Sequence, residues 1–245
     1  MFIDIILVQE QIASDDIKER IAVVIDTLRA TSTIITALGM GCREVIPVSS
    51  PAEAINLKKK ALYSSYLLGG EIEGNYIESF QLGNSPVEYA NTTLRGKGLI
   101  LTTTNGTHAL QKAKKSDMVI VCALLNAKAV SDWLSRQEKD LVICCAGTRG
   151  NYSLEDFLTA GRLVNNLIEK NSSFRASDLA LTSACFYKSV RFGKDGKNGL
   201  PDMVKGSVNG ERLCRSGFEE DVKYCAQEDI YTITPIYING SIKPV

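Results

Sequence analysis

Asp26 and Arg29, three residues apart at the end of the apolar run Val23-Val24-Ile25, are the pair in this chain best suited to chemistry on a charged substrate. A carboxylate placed directly after a buried strand can hold a divalent cation, attack phosphorus as a nucleophile, or simply cap the helix that follows. The guanidinium of Arg29, with the hydroxyls of Thr31, Ser32 and Thr33 just behind it, offers an anion a planar fork and a set of donors. The turn Thr102-Thr103-Thr104-Asn105-Gly106-Thr107 adds four threonine hydroxyls, one amide and a glycine that lets backbone approach a ligand; the same pattern also suits an ordinary turn. Glu71, inside Gly69 to Gly74, is either a second metal carboxylate or a solvated loop acid. In Ala146 to Asp156, Ser153 with Asp156 reads as a capping box that explains the helix start. Capping does not explain Arg149 and Glu155.

Familiar phosphate chemistries can be checked against these residues. The haloacid-dehalogenase pattern wants an Asp two residues after the first, and position 28 is Leu28. No Walker A sequence occurs. Cys185 and Arg191 have the spacing of a cysteine-dependent phosphatase, but the five residues between them contain no glycine to aim N–H groups at phosphate. His108 is the only histidine, which excludes a two-histidine phosphatase or a histidine-rich zinc site.

The elements that must position these residues repeat one pattern: a β-branched apolar run, a polar turn, then a helical period. It occurs at Ile21–Ile25, Val45–Val48, Gly98–Leu101, Met118–Cys122 and Leu141–Cys145. Continuous apolar strands alternating with helices signify a parallel sheet covered on both faces. The expected fold class is therefore α/β, a three-layer α/β/α arrangement with a mostly parallel sheet. The first and fifth units look alike, which suggests two similar halves from an internal duplication, residues 1–125 and 126–245, with a cleft between them. Resemblance among all βα units explains the likeness equally well. Beyond Asn171 the pattern loosens, and Arg191 to Gly210 is expected to be a mobile segment or lid. A helix around Gly217–Gln227 and a final strand over Ile230–Ile238 complete the chain.

The 245 residues carry 28 Lys+Arg against 28 Asp+Glu, a zero net charge that argues against a nucleic-acid partner. With 44% hydrophobic and 23% charged residues the chain has a globular composition. No apolar run approaches the roughly 20 residues of a bilayer span, so no membrane partner is expected. The N-terminus has an acid, Asp4, where a signal peptide would carry basic residues, and the seven cysteines are odd in number and irregularly spaced. A reducing, cytoplasmic location is the expectation.

Taken together in order, the motifs resemble the 2-phosphosulfolactate phosphatase (ComB-like) family. They are Val24 to Ile34, Gly70-Glu71, Leu82-Gly83-Asn84-Ser85-Pro86, Thr103 to Thr107, Cys145-Ala146-Gly147, Glu155-Asp156 with Ala160-Gly161, and Glu219-Glu220-Asp221 to Cys225-Ala226. One departure is Gln81, where the resemblance leads us to expect an acid. The resemblance implies a Mg²⁺-dependent phosphatase that hydrolyses 2-phospho-3-sulfolactate to 3-sulfolactate and phosphate, a step toward coenzyme M. A phosphatase of another small phosphorylated carboxylic acid and a non-catalytic anion-binding protein are the alternatives. It also implies site roles. Asp26 and Arg29 are catalytic, Asp26 as metal ligand or nucleophile; Mg²⁺ is held among Asp26, Glu71, Glu155 and Asp156. The anionic phosphomonoester is bound by Thr31, Ser32, Thr104, Asn105, Gly106, Thr107, Gly147, Arg149 and Ser153. The oligomeric state is not legible, a homodimer being one option.

Overall fold

The computed structural model describes residues 1–191 and 199–245, and in it eleven strands form one mixed sheet. In chain order they are β1 (Phe2–Ile6), β2 (Ile21–Ile25), β3 (Glu44–Val48), β4 (Leu67–Ile72), β5 (Asn75–Tyr76), β6 (Gly98–Thr102), β7 (Met118–Cys122), β8 (Leu141–Cys145), β9 (Arg175–Ala176), β10 (Pro235–Ile238) and β11 (Ser241–Pro244). The spatial order is β5-β4-β6-β3-β11-β10-β7-β2-β8-β1-β9. The α/β class with a mostly parallel sheet is thus as the sequence led us to expect.

Two parallel blocks make up the sheet. One is β4-β6-β3 and the other β7-β2-β8-β1-β9, and the C-terminal hairpin β10–β11 joins them, antiparallel to β7 on one side and to β3 on the other. Between β7 and β3 the strand direction reverses three times, so a flat sheet would aim the carboxyl ends of the two blocks at opposite edges. The usual sheet twist of roughly 20–25° at each step lessens that opposition. Residues from both sets of ends line one cavity.

Why β2 can be apolar throughout is clear from its neighbours. Ala22 and Val24 face one core with Ile34, Ile35 and Leu38 of the helix Ala30–Gly39 and Leu110 of the helix Gly106–Ala113. Ile21, Val23 and Ile25 face the opposite core, with Val130 of the helix Ala127–Leu134, Leu163 and Leu167 of Leu154–Lys170, and Ala180 and Ala184 of Asp178–Arg191. Each strand residue is covered, which is the condition for a two-sided parallel sheet.

The structure bears on several further expectations. An internal duplication is not confirmed: the two look-alike units place β2 and β8 side by side in one block, paired from Ile21–Leu141 to Ile25–Cys145. The final strand is a hairpin whose Asn239-Gly240 turn has φ of 49° and 93°, the left-handed conformation that Asn-Gly favours. The loosened stretch after Asn171 contains the helix Asp178–Arg191, which packs along Leu154–Lys170. Of the expected lid, residues 192–198 lie outside the described residues, and 199–210 includes the helix Leu200–Lys205 and the start of Val208–Arg215. Among the described residues no helix is long and apolar enough to cross a membrane.

Candidate active site

The turn after β2 is built from its own hydroxyls. Thr31 Oγ1 donates to the Asp26 carbonyl at 2.9 Å and accepts from the Asp26 N–H at 3.1 Å, while Ser32 Oγ donates to the Thr27 carbonyl at 2.8 Å. Both side chains are fully buried. These hydroxyls, expected to bind substrate, instead satisfy the backbone that presents Asp26. The Asp26 carboxylate accepts from the Ala30 N–H through Oδ1 at 3.3 Å. Its Oδ2 lies against Gly106, where an added Cβ would come within 2.6 Å of it and 2.4 Å of the Ala30 methyl. Only glycine lets the helix Gly106–Ala113 begin this close to the carboxylate.

The guanidinium of Arg29 is equally fixed. Its Nη1 donates to Asp221 Oδ2 at 2.6 Å, both side chains being buried, and its plane lies 4.2 Å from the Phe218 ring centroid. Ser85 Oγ donates to the other Asp221 oxygen. Asp221 and Phe218 thus orient Arg29 from the segment that precedes and begins the helix Glu219–Cys225.

Asp26, Arg29, Glu71, Asn84, Thr104, Asn105, Arg149, Asn209 and Arg212 line one small cavity of about 40 Å³. Glu71 ends its strand with its oxygens accepting from the Thr104 N–H at 2.7 Å, the Thr104 hydroxyl at 3.0 Å and the Gly74 N–H. Its approach depends on Gly70, where a Cβ would sit 1.8 Å from the Thr102 carbonyl oxygen, and whose φ is +132°. Thr107 is buried and closes its turn by donating to the Thr103 carbonyl at 2.8 Å, so it does not reach the cavity. Arg149 has a left-handed backbone, φ +53°, and its side chain is exposed. Asn84 Oδ1 is buried with no hydrogen-bond partner among the described residues.

The remaining expected residues support the site from behind. Asp156 accepts from the Thr27 N–H at 2.8 Å through one oxygen and from the Gly147 N–H at 3.1 Å through the other, locking the two look-alike turns together. It does not form the expected capping box: Ser153 caps no N–H and pairs with the Thr148 hydroxyl at 2.8 Å. Gly147 therefore serves Asp156, and Ser153 the loop. Glu155 is buried and accepts from Asn209 Nδ2 at 3.3 Å, and Asn209 also donates to the Leu28 carbonyl at 2.8 Å. Arg212 donates to Asn209 Oδ1 through Nε and Nη2.

Charges crowd this region. Burial, reinforced by Glu71 and Glu155, pushes the Asp26 carboxyl up to about 7 despite the Ala30 N–H and Arg29. Burial, with Asp26 and Glu155, pushes Asp156 far above the carboxylate range, and burial raises Glu155. Arg212 is held below its usual value by burial and by Arg149 and Arg29. Arg29 is paired with Asp221, but Asp26, Glu71, Arg149 and Arg212 line the same space with no ion pair among them, an arrangement suited to a polyanion together with a cation.

Magnesium takes one or two protein carboxylates and keeps several waters or substrate oxygens. Among the described residues no group of three or more His, Cys, Asp or Glu is placed to share an ion, so the four acids do not form one ligand cage. Asp26 and Glu71 on the cavity wall, with the orphaned amide oxygen of Asn84 beside them, fit the more open magnesium pattern. All seven cysteines are free; Cys185 is exposed and lies on neither wall of this cavity. Gln81 accepts from the Leu68 N–H at 2.9 Å and from Lys58, at the rim of β4, outside the cavity.

Asn84, Asn209, Arg212 and Asp221 were not assigned roles from the sequence. Asn84 and Asp221 fall inside quoted motifs, a signal that was present. Asn209 and Arg212 sit in a polar stretch with no pattern of its own.

The family model described as 2-phosphosulpholactate phosphatase matches residues 6–240. A protein of Caldanaerobacter subterraneus subsp. tengcongensis, named probable 2-phosphosulfolactate phosphatase, is 42% identical over 99% of this chain and 98% of its own length. One of Clostridium perfringens strain SM101, with the same name, is 40% identical over 100% and 97%. One of Symbiobacterium thermophilum, also so named, is 38% identical over 94% and 96%. This chain belongs to the 2-phosphosulfolactate phosphatase family, a family of phosphoric monoester hydrolases.

Proposed function

We propose that the protein is a Mg²⁺-dependent phosphatase that hydrolyses 2-phospho-3-sulfolactate to 3-sulfolactate and phosphate, a step toward coenzyme M. The observation that carries this reading is the cavity that sets the Asp26 carboxylate among Arg29, Arg149 and Arg212 at the carboxyl ends of both strand blocks. Asp26 and Glu71, with Asn84, would hold the cation, which when bound would draw negative charge from the phosphoryl oxygens. Arg29, fixed by Asp221 and Phe218, presents its remaining N–H donors to the same oxygens without reorganising. Arg149 and Arg212 take the carboxylate or sulfonate. The Asp26 oxygen that has no donor among the described residues would be eased of its repulsion from Glu71 and Glu155 when the cation is bound.

The test is a panel of phosphomonoesters, 2-phosphosulfolactate among them, assayed after chelation and again with Mg²⁺. Phosphate release should vanish in chelator and return with Mg²⁺. Full activity after exhaustive chelation defeats the metal assignment, and a preference for phosphomonoesters lacking a carboxylate defeats the substrate assignment.

A further inference from the structure

Beside the phosphoryl cavity lies a second chamber of about 510 Å³. The two share Thr148, Arg149, Asn209 and Arg212 as a common wall. Beyond that wall the chamber is faced by Tyr152, Leu154 and Val208. Tyr152 stands edge-on to Phe157 with ring centroids 5.6 Å apart, and 46% of it is exposed. Val208 is 89% exposed, an apolar residue that nothing covers among the described residues.

The two spaces adjoin across that wall, so a substrate with its phosphoryl group beside Asp26 can place its remaining atoms in the chamber. The chamber falls within the roughly 300–1,000 Å³ of sites that enclose a whole small molecule. At the wall, Arg149 makes no ion pair or side-chain hydrogen bond among the described residues, leaving its guanidinium to an outside anion. A compact tail with two anionic groups would engage Arg149 and Arg212 and leave the apolar faces beyond them unused.

We infer that the chamber receives the non-transferred part of the substrate, and that the chain accepts phosphate monoesters of 2-hydroxy acids bearing an aryl-sized apolar substituent. Their carboxylate pairs with Arg149 and Arg212, and the substituent packs on Tyr152, Leu154 and Val208. This rests on the phosphatase reading and widens its substrate class. The reaction balance is unchanged: the water oxygen bonds to phosphorus, the bond from phosphorus to the C2 oxygen breaks, and that oxygen takes up the proton the water loses to become the 2-hydroxyl.

The experiment compares 2-phospho-3-phenyllactate with 2-phospholactate on the full chain in Mg²⁺. We expect kcat/KM at least tenfold higher for the phenyl compound. The ratio of the two values should fall at least fivefold in Val208→Asp and in Tyr152→Ala, each checked for an unchanged melting curve. A ratio near one in the parent, or a ratio unmoved in both variants, overturns the inference. If neither compound is hydrolysed and the whole phosphomonoester panel is also inert, the phosphatase reading has failed instead. Calorimetry with 3-phenyllactate then decides the chamber: binding that weakens in Val208→Asp supports it, and no binding in the parent overturns it.

Discussion

The turns after β2 and β8 share a strand, one arginine and a hydroxyl-rich helix start, yet the structure uses them in opposite ways. After β2 the arginine is buried, ion-paired with Asp221 and stacked on Phe218; after β8 Arg149 is exposed on a left-handed backbone with no such partner. Asp26 has an oxygen without a donor among the described residues, whereas both oxygens of Asp156 are taken by the Thr27 and Gly147 N–H groups. On the proposed function, one turn would be preorganised for the reacting group and the other would leave its charge free to follow the substrate. Similar local sequence does not fix similar roles, because the role depends on what the rest of the chain brings against each turn.

The largest effect should separate the two acids. Asp26→Asn removes the group facing the reacting phosphorus, and kcat should fall roughly a thousandfold or more with the fold retained. Asp156→Asn leaves one backbone N–H facing an amide NH₂, so its main cost should be stability, about 1–3 kcal/mol by denaturant melt. Equal kcat losses in the two variants would erase the distinction.

The two arginines come next. Arg29→Lys keeps charge but loses the fork held by Asp221, and kcat/KM should drop by about 1.5–3 kcal/mol, with kcat and KM both affected. Arg149→Lys should raise KM by only a few-fold, since its flexible approach depends less on geometry. A reversed order in steady-state kinetics would show that the exposed arginine serves the transferring phosphoryl.

A smaller effect is expected in the pH dependence of stability. Asp26, Glu155 and Asp156 hold their protons more tightly in the fold than an unfolded acid of pKa about 4 does, so their contribution is present at low pH and is lost as pH rises through the folded values. The melting temperature of metal-free protein should therefore fall as pH rises from about 4 toward 7, the Asp26 contribution being spent above its value of about 7. Asp26→Asn should flatten the slope, as should saturating Mg²⁺. A slope that survives in Asp26→Asn would place the titration elsewhere.

The smallest effect concerns the thiol. Cys185 is exposed on the helix Asp178–Arg191 and lies outside the cavity, so Cys185→Ser should leave turnover within a few-fold of the parent. Complete loss in a folded variant would restore a cysteine mechanism.

Much of the sheet was legible because its strands β2, β3, β6, β7 and β8 are short apolar runs bounded by polar turns, a pattern that local sequence carries alone. The C-terminal hairpin was read as one strand although Asn239-Gly240 marks its turn, and the helix Asp178–Arg191 was missed because it buries a narrow face against Leu154–Lys170. Sequence by itself determined the α/β class, the position of Asp26 and Arg29 at a strand end, and the family. It could not decide which hydroxyls face the ligand. Thr31, Ser32 and Thr107 are spent on buried backbone groups, because a turn inside the protein must satisfy its own N–H and C=O. Nor could it bring Asp221, Asn209 and Arg212 beside Asp26 across more than 180 residues. That juxtaposition comes from tertiary packing alone, which sets the helix Val208–Arg215 on the cavity lined by the ends of both strand blocks and the helix Glu219–Cys225 behind Arg29.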